Sequence, residues 1–190
     1  MTGFMRSTAL FAVLALTVSA CAPGPRPDRA PAPWAALTSP TAALKVAFDE
    51  VCVAAVMEGG GLEQLALRHY LVPVSPRSTR SPTATAAWRL ASYSNVFVMA
   101  LPDGACSVSV EGGDPDALNV VAIEMLKARA AFAPSVPQPS TDGNAERIAW
   151  CTPEAQRPYV VTLLRRTSGR RVAFLANAFR AQGARPPFCA

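Results

Sequence analysis

The residue pattern predicts an α+β fold, a single domain in which an antiparallel sheet carries two or three helices. Two observations predict it. Apolar residues recur at helical spacing in two separated stretches, 44–56 and 118–126, while shorter stretches between and after them carry strand patterns. The resulting order is helix, strands, helix, strands, without the regular strand–helix–strand alternation of a parallel sheet. No internal repeat and no second domain is legible.

Ser39-Pro40 opens the first helix, with Ser as the capping residue and Pro at the first helical position. Leu44, Ala47, Phe48, Val51, Cys52, Ala55 and Val56 follow the i, i+3, i+4, i+7 rule, with Lys45, Asp49 and Glu50 on the other side. Gly59-Gly60-Gly61 ends the helix, because glycine tolerates the left-handed conformation that closes a helix. No Gly-Lys-Ser/Thr follows, so the triplet is not a phosphate loop. Leu62 to Tyr70 reads as a short second helix, and Val72 to Thr83, with three prolines, as a loop.

Strands are expected at Thr85 to Ser92 around Trp88, at Val96 to Leu101, and from Cys106 to Val110. In the last, Cys106, Val108 and Val110 alternate with Ser107 and Ser109, the pattern of a strand with one buried face. Asp114-Pro115 repeats the cap-then-proline signal ahead of Leu118, Val121, Ala122, Met125 and Leu126, a helix expected to end near Phe132. After a loop over Ala133 to Asn144, strands are expected at Arg147 to Cys151, Tyr159 to Arg165 and Arg171 to Phe179. The last two form a hairpin across Thr167-Ser168-Gly169.

The N-terminus has another character. Arg6 is the only charge before position 26, Thr8 to Val18 is an uncharged apolar run, and Ser19 and Ala20 are small. That is the layout of a signal peptide, too short to span a bilayer. The tetrad Val18-Ser19-Ala20-Cys21 resembles the lipobox of bacterial lipoproteins, with Val where Leu is commoner. The resemblance covers positions 1–21. It implies cleavage before Cys21, acylation of its thiol and new amine, and attachment to a membrane by lipid rather than by a helix. Ala22 in place of Asp points, within that family, to the outer membrane facing the periplasm. The competing reading is a plain secretory peptide cut near Ala20 or Ala22. The organisation is then 1–20 signal peptide, 21–38 a lipid-anchored Pro-rich tether, and 39–190 the globular domain.

Export changes how the sulfurs are read. With Cys21 lipidated, Cys52, Cys106, Cys151 and Cys189 remain, an even number in an oxidising compartment. Of three pairings, Cys52–Cys106 with Cys151–Cys189 is favoured because each joins elements expected to be neighbours. Phe48-x-x-Val51-Cys52, Trp88 and Cys106-x-Val108 are together similar to a family of small exported proteobacterial proteins of unknown function, which implies no activity.

No catalytic arrangement stands out. The one histidine, His69, lacks a nucleophile motif and sits at a helix end. Cysteines are scattered without Cys-x-x-Cys, so neither a metal centre nor a redox dithiol is expected, and no cofactor is expected. Charge is uneven. Residues 40–150 carry 8 Lys and Arg against 11 Asp and Glu, while 155–190 carry seven Arg and no acid. Arg165, Arg166, Arg170 and Arg171 flank the hairpin turn. Such a patch commonly meets nucleic acid, but export removes that partner. Anionic lipid, lipopolysaccharide or an acidic envelope protein suits the patch better, while the reading that these arginines only keep the hairpin tip soluble and protect exposed edges stands slightly ahead. The expected function is a binding or interaction module of the envelope, more in keeping with the sequence than an enzyme. An envelope hydrolase with an unrecognised site and a structural subunit of an envelope assembly are the alternatives.

Overall fold

The computed structural model describes residues 37, 39–79, 81–129, 131–139, 145–166 and 171–189. Cys21, the expected signal peptide 1–20, Arg170 and the turn 167–169 lie outside the described residues, as does the expected tether 21–38 apart from Leu37. All described residues fall in the unit Pro31–Ala190.

Ser39 caps the first helix as its sequence demands, its hydroxyl accepting from the Ala42 N–H at 3.2 Å. That helix, α1 (40–58), runs through an α-helical turn Pro40–Leu44, a π-helical stretch Lys45–Val53 and a closing α-helical turn Ala54–Glu58. The π stretch bonds i to i+5 and so inserts extra residues per turn. The apolar stripe drifts accordingly. Val53 and Ala54 are buried, while Ala55 and Val56, expected on the buried face, are only half-buried. Gly59 closes α1 at φ 73°, and α2 (Leu62–Arg68) follows.

Next come β1 (Leu71–Val74), β2 (Ala86–Leu90), β3 (Val96–Ala100) and β4 (Cys106–Glu111). The expected loop at 72–83 thus begins as a strand. Its Pro73 is tolerated because β1 is an edge strand, where a missing backbone donor breaks no ladder. Asp114 accepts from the Asp116 N–H at 2.9 Å and starts α3 (Pro115–Ala128). The helix stops short of Phe132, which is buried beyond its end. β5 (Ala133–Pro134) and β6 (Gln138–Pro139) are two-residue pieces against β7 (Ala145–Cys151), followed by β8 (Tyr159–Arg166) and β9 (Val172–Arg180).

All strand pairs are antiparallel, and the sheet order is β1-β2-β3-β4-β9-β8-β7-β5, with β6 also on β7. The fold is α+β. Read from the outside inward, the sheet order has two mirrored halves. Each half is a helix followed by a meander, and the last strands of the halves, β4 and β9, pair at the centre.

Helices α1 and α3 share one face of the sheet, α1 over β3, β4 and β9 and α3 over β8 and β9. Phe48 and Leu44 from α1, Leu118, Ala122 and Leu126 from α3, and Val98, Val108, Leu163 and Phe174 from the strands make the main core. Burying each such side chain contributes about 1.5–3 kcal/mol. Arg129 Nε donates to Asp49 at 2.7 Å and ties the end of α3 to α1.

A small second cluster lies on the opposite face. It comprises Ala149, Cys151, Val160, Ala181 and Cys189, with Phe179 against it. Cys52 is joined to Cys106 and Cys151 to Cys189, with Cα separations of 5.5 and 5.6 Å. The favoured pairing is the one present. One bridge pins α1 to the helix face. The other pins the C-terminal segment to the far face. Both sit at the same end of the sheet, because Cys106 lies in the lateral row Cys106–Ala178–Val161–Trp150, one residue from Cys151.

Candidate binding groove

The face turned away from the helices is the distinctive surface. Period-2 alternation sends Ser107 and Ser109 to it while Val108 and Val110 enter the core. The sequence pattern predicts that such serines meet solvent, yet they are 3% and 4% exposed. The covering comes from flanking loops. The turn Pro76–Thr79 and residues 81–83 stand over one side, and residues 135–138 with Phe188 over the other. Between them lie two cavities of about 420 and 380 Å³ that share Leu101 and Asn177 in their walls. Both volumes are in the range of small-molecule sites, about 300–1,000 Å³.

Register fixes what lines the floor. One lateral row reads Ala87–Met99–Ser107–Asn177–Thr162–Ala149 across six strands. Asn177 Nδ2 donates to Thr162 Oγ1 at 3.1 Å in the middle of it. Ser107 and Ser109 are buried in the larger cavity's wall, and their hydroxyls are not among the buried polar atoms left without a partner. Their hydroxyls offer polar contacts on an otherwise largely apolar cavity wall.

The hairpin arginines do not form one surface. Arg165 points to the helix face. It donates to Asp116 and, at 2.8 Å, to Glu146. The Asp116 hydrogen bond, reinforced by both carboxylate charges against partial burial, raises its pKa above that of a free guanidinium. Arg166 points the other way, into the larger cavity's wall, and its buried Nε finds no partner among the described residues. Arg171 lines the same cavity and donates from Nε to Glu111 at 2.6 Å.

A further arginine was not singled out by the sequence. Arg147 lines the second cavity. It pairs with Leu164, while Arg166 pairs with Ala145, so Arg147 and Arg166 are diagonal neighbours on the same face. The signal was parity. Arg147 shares its side of β7 with Cys151, which the second disulfide assigns to the far face. No carboxylate lines either cavity among the described residues.

Elsewhere, His69 Nδ1 lies 3.1 Å from Glu50, an ordinary surface pair. Glu154, beside the C-terminal staple, has its pKa lowered by a hydrogen bond from the Thr152 hydroxyl, then by backbone hydrogen bonding and by Arg180 and Arg185, against slight desolvation. Among the described residues, no cluster of three or more His, Cys, Asp or Glu could hold a metal, and no helix is long and apolar enough to cross a membrane. Searches among family models, curated proteins and solved structures matched nothing.

Proposed function

We propose that this chain is a bacterial envelope lipoprotein. Residues 1–20 are removed, Cys21 is acylated, the Pro-rich stretch to residue 38 spaces the domain from the membrane, and the domain works by binding an anionic envelope component. The lipobox-like tetrad supports the anchor. The two cysteine pairs at bonding distance support an oxidising compartment. The observation that carries the binding role is the groove on the face opposite the helices: arginines in its walls, buried serines on its floor, and no lining carboxylate among the described residues. One acyl chain holds a protein only marginally and two or more hold it firmly, so an acylated Cys21 would keep this groove at the membrane surface.

The test is intact-mass analysis and fractionation of the full chain expressed in a Gram-negative bacterium. The expected species lacks residues 1–20, carries fatty acyl mass, sediments with membranes, and gains four hydrogens on reduction. The Cys21→Ala variant is expected to lose the acyl mass and the cleavage before residue 21. A soluble cytosolic chain that retains its first 20 residues and offers free thiols to alkylation would overturn the reading.

A further inference from the structure

We infer that the groove holds one single-chain amphiphile, its acidic head between Arg147 and Arg166 and its alkyl tail running along the strands toward Phe179 and Phe188. The inference deepens the proposed anionic binding role by naming the ligand's shape.

Three features carry it. The first is polarity along the groove. Arg147, Arg166 and Arg171 all lie toward the hairpin-turn end of β7, β8 and β9, and Ser109 is one β4–β9 row further in. At the opposite end stand Leu101, Ala105, Phe179 and Phe188. A uniformly polar anion would use only half of such a site, and a neutral hydrocarbon would leave the arginines unused.

The second feature is length. Phe179 pairs with Val160, six residues along β8 from Arg166. At the rise of an antiparallel strand this is about 20 Å, enough for an extended long-chain acyl group. Leu101 and Asn177 line both cavities, so the two adjoin and a tail crossing from one to the other passes these side chains. Val136, 79% exposed, and Phe188, 38% exposed, form an apolar rim at the tail end.

The third is unmet hydrogen bonding. Arg166 Nε is buried without a partner among the described residues. An acid head between the two arginines supplies an acceptor for this donor. Diagonal arginines on one face repel each other unless an anion lies between them. The described surroundings offer Arg166 no carboxylate, in contrast to Arg165 one residue away.

The experiment uses the chain from residue 21 onward with Cys21→Ala, exported behind a signal peptide whose cleavage does not need that cysteine and purified without detergent, and titrates it with palmitate by calorimetry. Parallel arms use hexadecanol, the phosphate-headed single-chain lipid with the same tail, and inorganic phosphate. Palmitate is expected to bind one to one, and hexadecanol about tenfold more weakly or worse, since a charged hydrogen-bonded head is lost. Inorganic phosphate is expected to bind too weakly to measure because it leaves the apolar half empty. Tighter binding by the phosphate-headed lipid would assign the head as phosphate, and tighter binding by palmitate as carboxylate.

Arg147→Gln with Arg166→Gln is expected to weaken palmitate at least tenfold and to leave hexadecanol unchanged. Should that variant fold poorly, Ser109→Ala with Leu101→Trp, which removes a hydroxyl and fills the path, gives the second reading and is expected to abolish binding. Absent palmitate binding, equal affinity for hexadecanol, or variants that bind like the parent would overturn the inference. Its failure is separable from failure of the lipoprotein reading. An acylated, membrane-held chain that ignores palmitate sinks only the ligand, and a cytosolic chain that binds it sinks only the anchor.

Discussion

Asn177 on β9 donates its side-chain N–H to the Thr162 hydroxyl on β8, 3.1 Å away, where the two cavities meet. The pair cross-links neighbouring strands on the face the helices leave open, and it holds the groove floor in one conformation. Asn177→Ala should cost about 1 kcal/mol, the net worth of one such bond. It should also merge the cavities into a wider trough. Urea unfolding checks the first expectation. A midpoint unchanged from the parent would mean that the bond adds nothing to the fold.

The two disulfides should separate by function. Cys52→Ser with Cys106→Ser frees α1 from the sheet and removes a link spanning 54 residues. A loss of about 2–4 kcal/mol is expected in denaturant unfolding. Cys151→Ser with Cys189→Ser opens a link of 38 residues. It should release the segment that carries Phe188, so trypsin should cut after Arg180 far faster while the N-terminal half stays protected. Equal cutting in parent and variant would show that packing alone holds the tail.

Adjacent arginines on β8 should behave oppositely. Arg165→Gln breaks contacts with Asp116 on α3 and Glu146 on β7. All three side chains are partly or largely exposed, so the loss should be about 1 kcal/mol or less, and less still in high salt. Arg166→Gln removes no partner among the described residues and should leave stability within about 0.5 kcal/mol of the parent. Thermal melts at low and high salt distinguish them, and a larger loss for Arg166 would contradict the assignment of faces.

Glu154 gives a pH expectation. Its carboxyl pKa is lowered in the fold by the Thr152 hydroxyl, its backbone hydrogen bond and two arginines. The folded chain therefore holds this proton less readily than the unfolded one. The stabilisation is present above the ordinary carboxylate pKa and fades as pH falls through the lowered folded value. The group is nearly all exposed, so the effect is small. Glu154→Gln should be slightly less stable than the parent at neutral pH and indistinguishable from it once both are in strong acid. A constant gap across the acid range would place the effect elsewhere.

Much of the fold is local and so was legible in the residues. Ser39 and Asp114 as helix caps, Gly59 as a stop, and the strands around Val98, Val108, Leu163 and Phe174 follow from short-range chemistry and periodicity. The cysteine pairing was reachable because each partner sits on an element whose neighbour could be guessed. The π-helical drift of α1 was not, because a pattern search assumes a constant number of residues per turn. The alternation of Ser107 and Ser109 was read correctly as two-faced but wrongly as half-exposed, since what covers the second face comes from loops far away in the chain.

The amino-acid order alone determined the element sequence, the α+β class, the likeness to a lipid-anchored exported chain, and the sulfur partners favoured above the alternatives. Only the tertiary structure decided that Arg165 and Arg166 look to opposite sides, that Arg147 joins the latter, and that two meanders meet at β4 and β9 to frame a groove. The physical reason is range. Caps, turns and periodicity act within a few residues, whereas sheet register and the closure of a face depend on which distant segments meet, and no local pattern encodes that.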